Sequence, residues 1–157
     1  MKNYVFALAP AVLVLTACGM SDEKELAVTK STEGLDITLQ SVNVADNVGP
    51  VGLLPAAGDG AKYVEIVYDL KNTANIQSSF EEWPKAVLVD AAANEFEPDA
   101  LTSTTVSAYN NPNWADQLNP SLSTAVTQIW KLAENSFDRG KWKLVFKSDP
   151  AIEFDLQ

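Results

Sequence analysis

The feature that most constrains the fold is a two-residue alternation of apolar side chains that recurs along the chain. Successive side chains of a β-strand point to opposite faces, so this spacing predicts strands with one buried face. In the part of the chain that follows residue 34, no helical period is sustained over ten residues. The sequence therefore predicts an all-β domain. The clearest segments are Leu35, Ile37 and Leu39; Val64, Ile66, Tyr68 and Leu70; Trp142, Leu144 and Phe146; and Ile152, Phe154 and Leu156.

Further strands complete a sandwich. A phase slip from Leu39 to Val42 predicts a β-bulge near Gln40 and Ser41. Residues 87–89 and 95–97 flank a turn and predict a hairpin, while 124–132 predict a strand that buries either Ile129 or Trp130. About seven short strands separated by turn residues favour a two-sheet sandwich over a barrel. The predicted core is Val64, Ile66, Tyr68, Leu70, Leu88, Trp142, Leu144, Phe146, Ile152 and Phe154, with Trp130 or Ile129.

The first residues of the chain predict a targeting signal. Lys2 precedes an apolar run over residues 4–15, which is shorter than the ~20 residues that a membrane-spanning helix needs. The sequence Leu15-Thr16-Ala17-Cys18-Gly19 then resembles the lipobox of bacterial lipoproteins. That resemblance implies that residues 1–17 are a signal peptide and that Cys18 carries lipid. The alternative is an ordinary secretory signal with an incidental cysteine.

The lipid on Cys18 predicts that the membrane is a partner and that the protein sits in the bacterial cell envelope. Because Gly19 and not aspartate follows the cysteine, the resemblance implies the outer membrane, on its periplasmic face or its surface, where a cell has two membranes. Residues 18–34 are polar and predict a flexible tether, within which 26–28 form at most a short edge strand. The predicted domain then spans residues 35–157.

Composition excludes several classes of function. The chain has no histidine and one cysteine, which removes imidazole-dependent catalysis and most zinc sites. The formal net charge of −10 argues against nucleic-acid binding, since phosphate recognition requires a basic surface. The sequence accordingly predicts no cofactor, no metal site and no nucleic-acid partner.

The order of strands and turns resembles a known family. Residues 63–72 form one strand pattern and 87–90 another. A long loop then leads to Leu118-Asn119-Pro120, which precedes a further strand, and the strand that contains Trp142 follows. This order is similar to the immunoglobulin-like domain of unknown function found in bacterial lipoproteins, whose fold is like that of the telokin-like immunoprotective antigens. The resemblance implies a binding or scaffolding module without catalytic residues. The family commonly has glycine after the proline that corresponds to Pro120, where this chain has Ser121. The glycine that the family has in the hairpin is also replaced, within residues 91–94.

One long segment, residues 98–123, has weak periodicity and predicts a functional or disordered loop. It holds aromatic rings beside amides, a combination that suits binding because rings supply contact area and amides supply direction. The alternative is that its aromatic rings fold back to cover an open end of the sandwich. The candidate binding residues are Tyr109, Asn110, Asn111, Asn113, Trp114 and Asp116.

Other segments give weaker signals. Residues 46–60 contain apolar side chains among glycines and prolines, which favour either an exposed hydrophobic loop or a cap on the core. Residues 80–84 are interpreted as a connection that packs Trp83 inward. A calcium site could be formed by Asp90, Asn94, Glu95, Glu97 and Asp99, but their spacing fits no known calcium-binding loop. A pair of carboxylates at the separation that glycoside hydrolysis needs is expected by chance among 21 acidic residues.

These observations lead to one main hypothesis. The protein is expected to be a lipid-anchored, non-catalytic binding or assembly module of the envelope that contacts a protein or a glycan through loops at the end of the sandwich. A small carboxylate-dependent hydrolase is the alternative from another class, which a buried carboxyl pair with raised pKa values would favour. A structural spacer without a specific ligand is the third hypothesis.

Overall fold

A computed structural model describes residues 24–156, so the predicted signal peptide and Cys18 lie outside the described residues. Eight strands and one helix make up this region, with short 3-10 turns at Phe80–Glu82 and Arg139–Lys141. The strands are β1 Lys24–Thr32, β2 Leu35–Ala45, β3 Ala61–Asn72, β4 Lys85–Val89, β5 Glu95–Phe96, β6 Ser123–Ala133, β7 Lys143–Lys147 and β8 Ile152–Asp155. The helix, α1, spans Ala100–Asn110.

The strands form two antiparallel sheets. The first has the order β1-β2-β3-β6 and the second the order β5-β4-β7-β8. The predicted all-β, two-sheet sandwich is therefore confirmed, with eight strands in place of about seven. The hairpin over residues 85–96 and the bulge in β2 are also confirmed, the bulge by a shift in register between Leu39 and Ser41.

The core lies between the sheets and contains all ten residues predicted without an alternative. Tyr68 from the first sheet meets Phe146 from the second edge to face, with ring centroids 4.9 Å apart. In β6, Trp130 faces this core, whereas Ile129 belongs to a second cluster on the outer side of the first sheet. Both candidates in β6 are therefore buried, each on its own face.

The predicted flexible tether over residues 18–34 is wrong from residue 24 onward, because β1 pairs with β2 along nearly its whole length. The short edge strand expected at most over 26–28 is present and is longer than expected. The strand lacks apolar alternation since it lies at the edge of the sheet and is polar on its exposed face. Side-chain contacts hold it to β2, such as that between the hydroxyls of Thr29 and Thr38 at 2.8 Å. A search for alternating apolar residues therefore cannot identify an edge strand of this kind.

The prediction of a loop throughout residues 98–123 is also wrong, because α1 occupies its first half. The side chain of Asp99 caps the helix by accepting a hydrogen bond from the Thr102 backbone N–H at 2.8 Å. The buried positions of the helix are mostly hydroxylated: Thr102, Ser103, Val106 and Ser107. A search for apolar periodicity misses such a helix, since its buried stripe is polar.

Two non-glycine residues of turns occupy the left-handed backbone region. Ala93 has φ 63° in the β4–β5 hairpin, and Ser121 has φ 68° in the turn before β6. In this region the Cβ of an L-residue crowds the following carbonyl oxygen, which costs roughly 1–2 kcal/mol. Each of these turns therefore holds an L-residue in a conformation that glycine adopts without this strain.

Replacing either residue by glycine is expected to stabilise the fold. Ala93→Gly and Ser121→Gly should each raise the free energy of unfolding by about 0.5–1 kcal/mol, because relief of strain exceeds the added chain entropy. Ala92→Gly, in the same hairpin but outside the left-handed region, should lower it by a similar amount. Urea denaturation of the three variants measures the difference, and equal effects of Ala92→Gly and Ala93→Gly would contradict the assignment.

Candidate functional site

The helix α1 lies along the open edge of β6 and takes the place of a neighbouring strand. The Ser107 hydroxyl donates to the Thr127 carbonyl at 2.6 Å and accepts from the Thr127 backbone N–H at 3.0 Å. The Ser103 hydroxyl makes the same pair of bonds with Ile129, at 3.3 and 2.9 Å. Each serine therefore satisfies both backbone groups of one edge residue, as the backbone of a ninth strand would.

Spacing explains why a helix can do this. Ser103 and Ser107 are four residues apart, which is ~6.0 Å along a helix axis. Thr127 and Ile129 are two residues apart, which is ~6.8 Å along an antiparallel strand. The two repeats nearly coincide, so hydroxyls at positions i and i+4 of a helix meet alternate edge residues of a strand.

The match continues for one more step at the C-terminal end of α1. Asn111 follows Ser107 by four residues, and its side-chain N–H donates to the Ala125 carbonyl at 3.2 Å and to the Thr124 hydroxyl at 3.0 Å. On the other side of the helix, Val106 joins the second cluster, which also contains Val48, Ala57, Tyr63 and Ile129. Polar contacts on one side and apolar contacts on the other thus fix α1 beside the sandwich.

The inner side of α1 forms one wall of a cleft. The cleft has a volume of about 350 Å³ and opens between α1, β6 and the beginning of β4. This volume lies at the small end of the ~300–1,000 Å³ range of ligand sites. The lining side chains that carry the argument below are Tyr68, Phe80, Trp83, Ala100, Thr104, Trp114 and Gln128.

Three aromatic rings stand together at one side of the cleft. Phe80 meets Trp83 and Trp114 edge to face, with centroid distances of 5.5 and 4.7 Å. Trp83 is buried and donates its indole N–H to the Ser78 hydroxyl at 3.1 Å, whereas Phe80 is 41% exposed. The three rings therefore form a partly exposed apolar wall, which the hydrogen bond of the buried Trp83 to Ser78 holds in position.

Few polar groups remain for a ligand inside the cleft. Burial raises the pKa of the Tyr68 hydroxyl, so this group stays protonated and can donate a hydrogen bond. The side-chain carbonyl oxygen of Gln128 is buried and finds no hydrogen-bond partner within residues 24–156. The charged residues that line the cleft, Glu81, Lys85 and Glu97, are exposed and lie toward its mouth.

The structure separates the candidate binding residues that the sequence grouped together. Of the six, only Trp114 lines the cleft, where it is half-buried and packs against Phe80. Asn111 is held against β6, and its side-chain oxygen also accepts from the Asn113 backbone N–H at 3.2 Å. Three others, Tyr109, Asn110 and Asp116, are exposed outside the cleft, as is Asn113 itself.

Sequence reasoning missed most of the cleft. Residues 80–84 were interpreted only as a connection, and Ser103 and Ser107 gave no signal of their own. Recognition of the serine pair four residues apart after the cap at Asp99 would have predicted both the helix and its polar contact face. The remaining lining residues come together only through the pairing of the sheets.

The acidic residues proposed for calcium have other partners. Asp90 organises its hairpin by accepting hydrogen bonds from the side chain and the backbone N–H of Asn94 and from the backbone N–H of Ala92, and these bonds lower its pKa. Glu95 pairs with Lys147 at 2.6 Å, and Asp99 caps α1. Among the described residues, no three potential metal ligands cluster. Within residues 24–156, neither α1 nor the 3-10 turns have the length and apolar character to cross a bilayer.

The loop at 46–60 combines both of its predicted behaviours. Val48 and Ala57 are buried in the second cluster and Leu54 packs against it. Val51 is fully exposed and Leu53 is 53% exposed. The loop thus covers the outer side of the first sheet while its tip faces solvent.

Comparison with known proteins supports the fold. No protein-family model matches the chain. The chain is similar to the uncharacterized protein YxkC of Bacillus subtilis, with 25% identity over 128 residues that cover 80% of this chain and 71% of that protein. A conserved hypothetical protein from Bacillus anthracis has a similar crystal structure, with TM-score 0.75 and 18% identity over 90% of this chain and all of that one. The crystal structure of an uncharacterized β-sandwich protein from Clostridium difficile is also similar, with TM-score 0.58 and 16% identity over 90% of this chain and all of that one.

Removal of the serine hydroxyls is expected to weaken the attachment of α1. Ser103→Ala and Ser107→Ala should each lower the free energy of unfolding by about 1–3 kcal/mol, because each leaves a buried backbone N–H of β6 unpaired. Ser107→Ala also removes the partner of the Thr127 carbonyl, whereas the Ile129 carbonyl keeps the Asp99 backbone N–H at 2.8 Å. Thr105→Ala is the matched control, since its hydroxyl bonds only to Leu101 within the helix, and it should change stability by less than about 0.5 kcal/mol. Chemical denaturation compares them, and a control that costs as much as the serine variants would refute the role of the hydroxyls.

Proposed function

We propose that this protein is a non-catalytic binding module that a lipid on Cys18 anchors to the bacterial cell envelope, with the α1–β6–β4 cleft as its ligand site. The observation that carries the proposal is the cleft itself, an aromatic-walled recess that a docked helix holds open at one side of the sandwich. Sites for small ligands and anchor residues are typically concave, largely apolar and preformed. The cleft has these properties.

Two observations support a non-catalytic role. The carboxylates that line the cleft, Glu81 and Glu97, are exposed, so neither has the buried surroundings that would favour a general acid. Elsewhere Asp138 and Glu153 have lowered pKa values because Lys141 and Lys143 donate hydrogen bonds to them. A carboxylate-dependent hydrolase would instead need at least one carboxyl group with a raised pKa.

The topology suits an anchored binder. Residues 18–23 can span at most ~20 Å between Cys18 and the beginning of β1, so the sandwich would stay close to the membrane. In the first sheet β1 and β6 are the two opposite edges. The cleft beside β6 therefore lies at the opposite edge of the first sheet from β1, the strand that follows the proposed lipidation site.

The family resemblance in the sequence agrees with this proposal. We infer that the chain is a member of the immunoglobulin-like lipoprotein family whose fold resembles the telokin-like antigens, with Cys18 as its lipidation site. The similar sandwich structures support the coarser part of this inference, the fold. The lipid requires its own test.

Incorporation of a labelled fatty acid tests the anchor. Cells expressing the full chain should label the wild-type protein and release none of it from washed membranes, because two or three acyl chains bind a bilayer durably. Cys18→Ser should take up no label and appear in the soluble fraction. Equal labelling of the two proteins, or a soluble unlabelled wild type, would contradict the proposed anchor.

Site-specific photocrosslinking in living cells tests the cleft. A benzophenone amino acid at Thr104, which is exposed at the rim, should give a discrete adduct. The same group at Leu101, which is 76% exposed on α1 and does not line the cleft, is the matched control and should give none. Absence of an adduct at Thr104, or an identical adduct at both positions, would favour a structural spacer.

A further inference from the structure

We infer that the cleft accepts an aromatic side chain from a partner polypeptide, with a basic residue beside it. This inference rests on the proposed function and adds the chemical class of the ligand. Interfaces of this kind derive most of their affinity from one anchor residue in a desolvated pocket, and tyrosine and tryptophan are enriched among such anchors. The shape, the hydrogen-bonding capacity and the charge of the cleft each support an aromatic anchor.

The size of the cleft suits one ring. A volume of about 350 Å³ holds a single aromatic side chain with part of its backbone and leaves little room for more. The edge-to-face arrangement of Phe80 and Trp114, at an interplanar angle of 81°, can extend to a further ring from a ligand. An inserted aromatic residue would continue the cluster in a geometry that aromatic pairs prefer.

The polar groups of the cleft argue against a sugar. A glycan presents several hydroxyls, each of which needs a partner when it leaves water. The hydroxyls of Ser103 and Ser107 already donate and accept in their bonds to β6. The protonated Tyr68 hydroxyl and the Gln128 amide are then the polar groups left deep in the lining, which suffices for one phenol or indole and not for a sugar ring.

Charge favours a basic flank on the partner. Two carboxylates, Glu81 and Glu97, and one ammonium, that of Lys85, line the mouth. Glu97 also lies 4.0 Å from the Lys147 ammonium, so the negative potential comes from Glu81 and from the formal charge of −10 of the whole chain. The sequence next to the ring would therefore be attracted if it carries lysine or arginine and repelled if it carries acids. Charge at the mouth affects the association rate and the choice of partner more than the affinity.

Amide-resolved NMR titration of the soluble Cys18→Ser protein tests the inference with defined probes. The acetylated amide tripeptides Lys-Tyr-Lys, Glu-Tyr-Glu and Lys-Ser-Lys are compared with the disaccharide di-N-acetylchitobiose. We expect Lys-Tyr-Lys to shift the indole signals of Trp83 and Trp114 and the side-chain amide of Gln128 saturably, at millimolar concentration. Glu-Tyr-Glu should bind at least about five-fold more weakly because of the mouth carboxylates, and Lys-Ser-Lys should produce no saturable shift.

Variants that fill the cleft test whether the peptide binds there. Ala100→Trp and Thr104→Trp put a large ring on exposed positions of the lining and should abolish the shifts. Leu101→Trp adds the same ring to the neighbouring solvent-facing position and should leave them unchanged. Unperturbed signals from β7 and β8 verify that each variant is folded.

The other outcomes overturn the inference in distinguishable ways. Saturable binding of the disaccharide that Ala100→Trp blocks would keep the cleft as a binding site and refute an aromatic peptide as its ligand. Equal shifts with Lys-Ser-Lys, or none with Lys-Tyr-Lys, would refute the aromatic anchor. The proposed function itself would fail through a missing crosslink at Thr104 or a missing lipid on Cys18, neither of which this titration measures.

Discussion

The hydrogen bonds between the serine hydroxyls of α1 and the backbone of β6 are the interaction on which the rest of this structure depends. An unpaired sheet edge invites pairing with another chain, and natural proteins cover such edges. Here Ser103 and Ser107 cover β6 with a helix by supplying both a donor and an acceptor to alternate residues. The same contacts fix α1 as one wall of the cleft, across from the beginning of β4, so edge protection and the candidate ligand site share one cause.

The sequence of α1 makes sense only in this setting. Threonine, serine and valine lower the intrinsic stability of a helix, and an isolated helix of 11 residues is marginal in water even with favourable residues. The helix is therefore held by its surroundings: the cap at Asp99, the bonds to β6 and the contact of Val106 with the outer cluster. Short hydroxylated side chains also allow the helix axis to approach the sheet edge closely enough for direct hydrogen bonds.

Sequence patterns predicted the parts of the fold whose burial is one-sided and apolar. The alternation in β3, β7 and β8 identified core residues such as Ile66, Leu144 and Phe154, and the phase slip in β2 identified its bulge. The patterns failed for β1 and α1, since one is an exposed edge strand and the other buries hydroxyls. They found one residue of the cleft, Trp114, because aromatic content marks a loop as a candidate whereas the packing of Phe80, Trp83 and Gln128 around it depends on long-range pairing.

Hydrogen exchange of the Thr127 and Ile129 amides tests the central claim most directly, because the structure gives each of these N–H groups a serine hydroxyl as its partner. If α1 replaces a ninth strand, both amides should exchange as slowly as those at the centre of β3, and the double variant Ser103→Ala/Ser107→Ala should lose that protection selectively. Rapid exchange of both amides in the wild-type protein, at the rate of a free strand edge, would contradict the account.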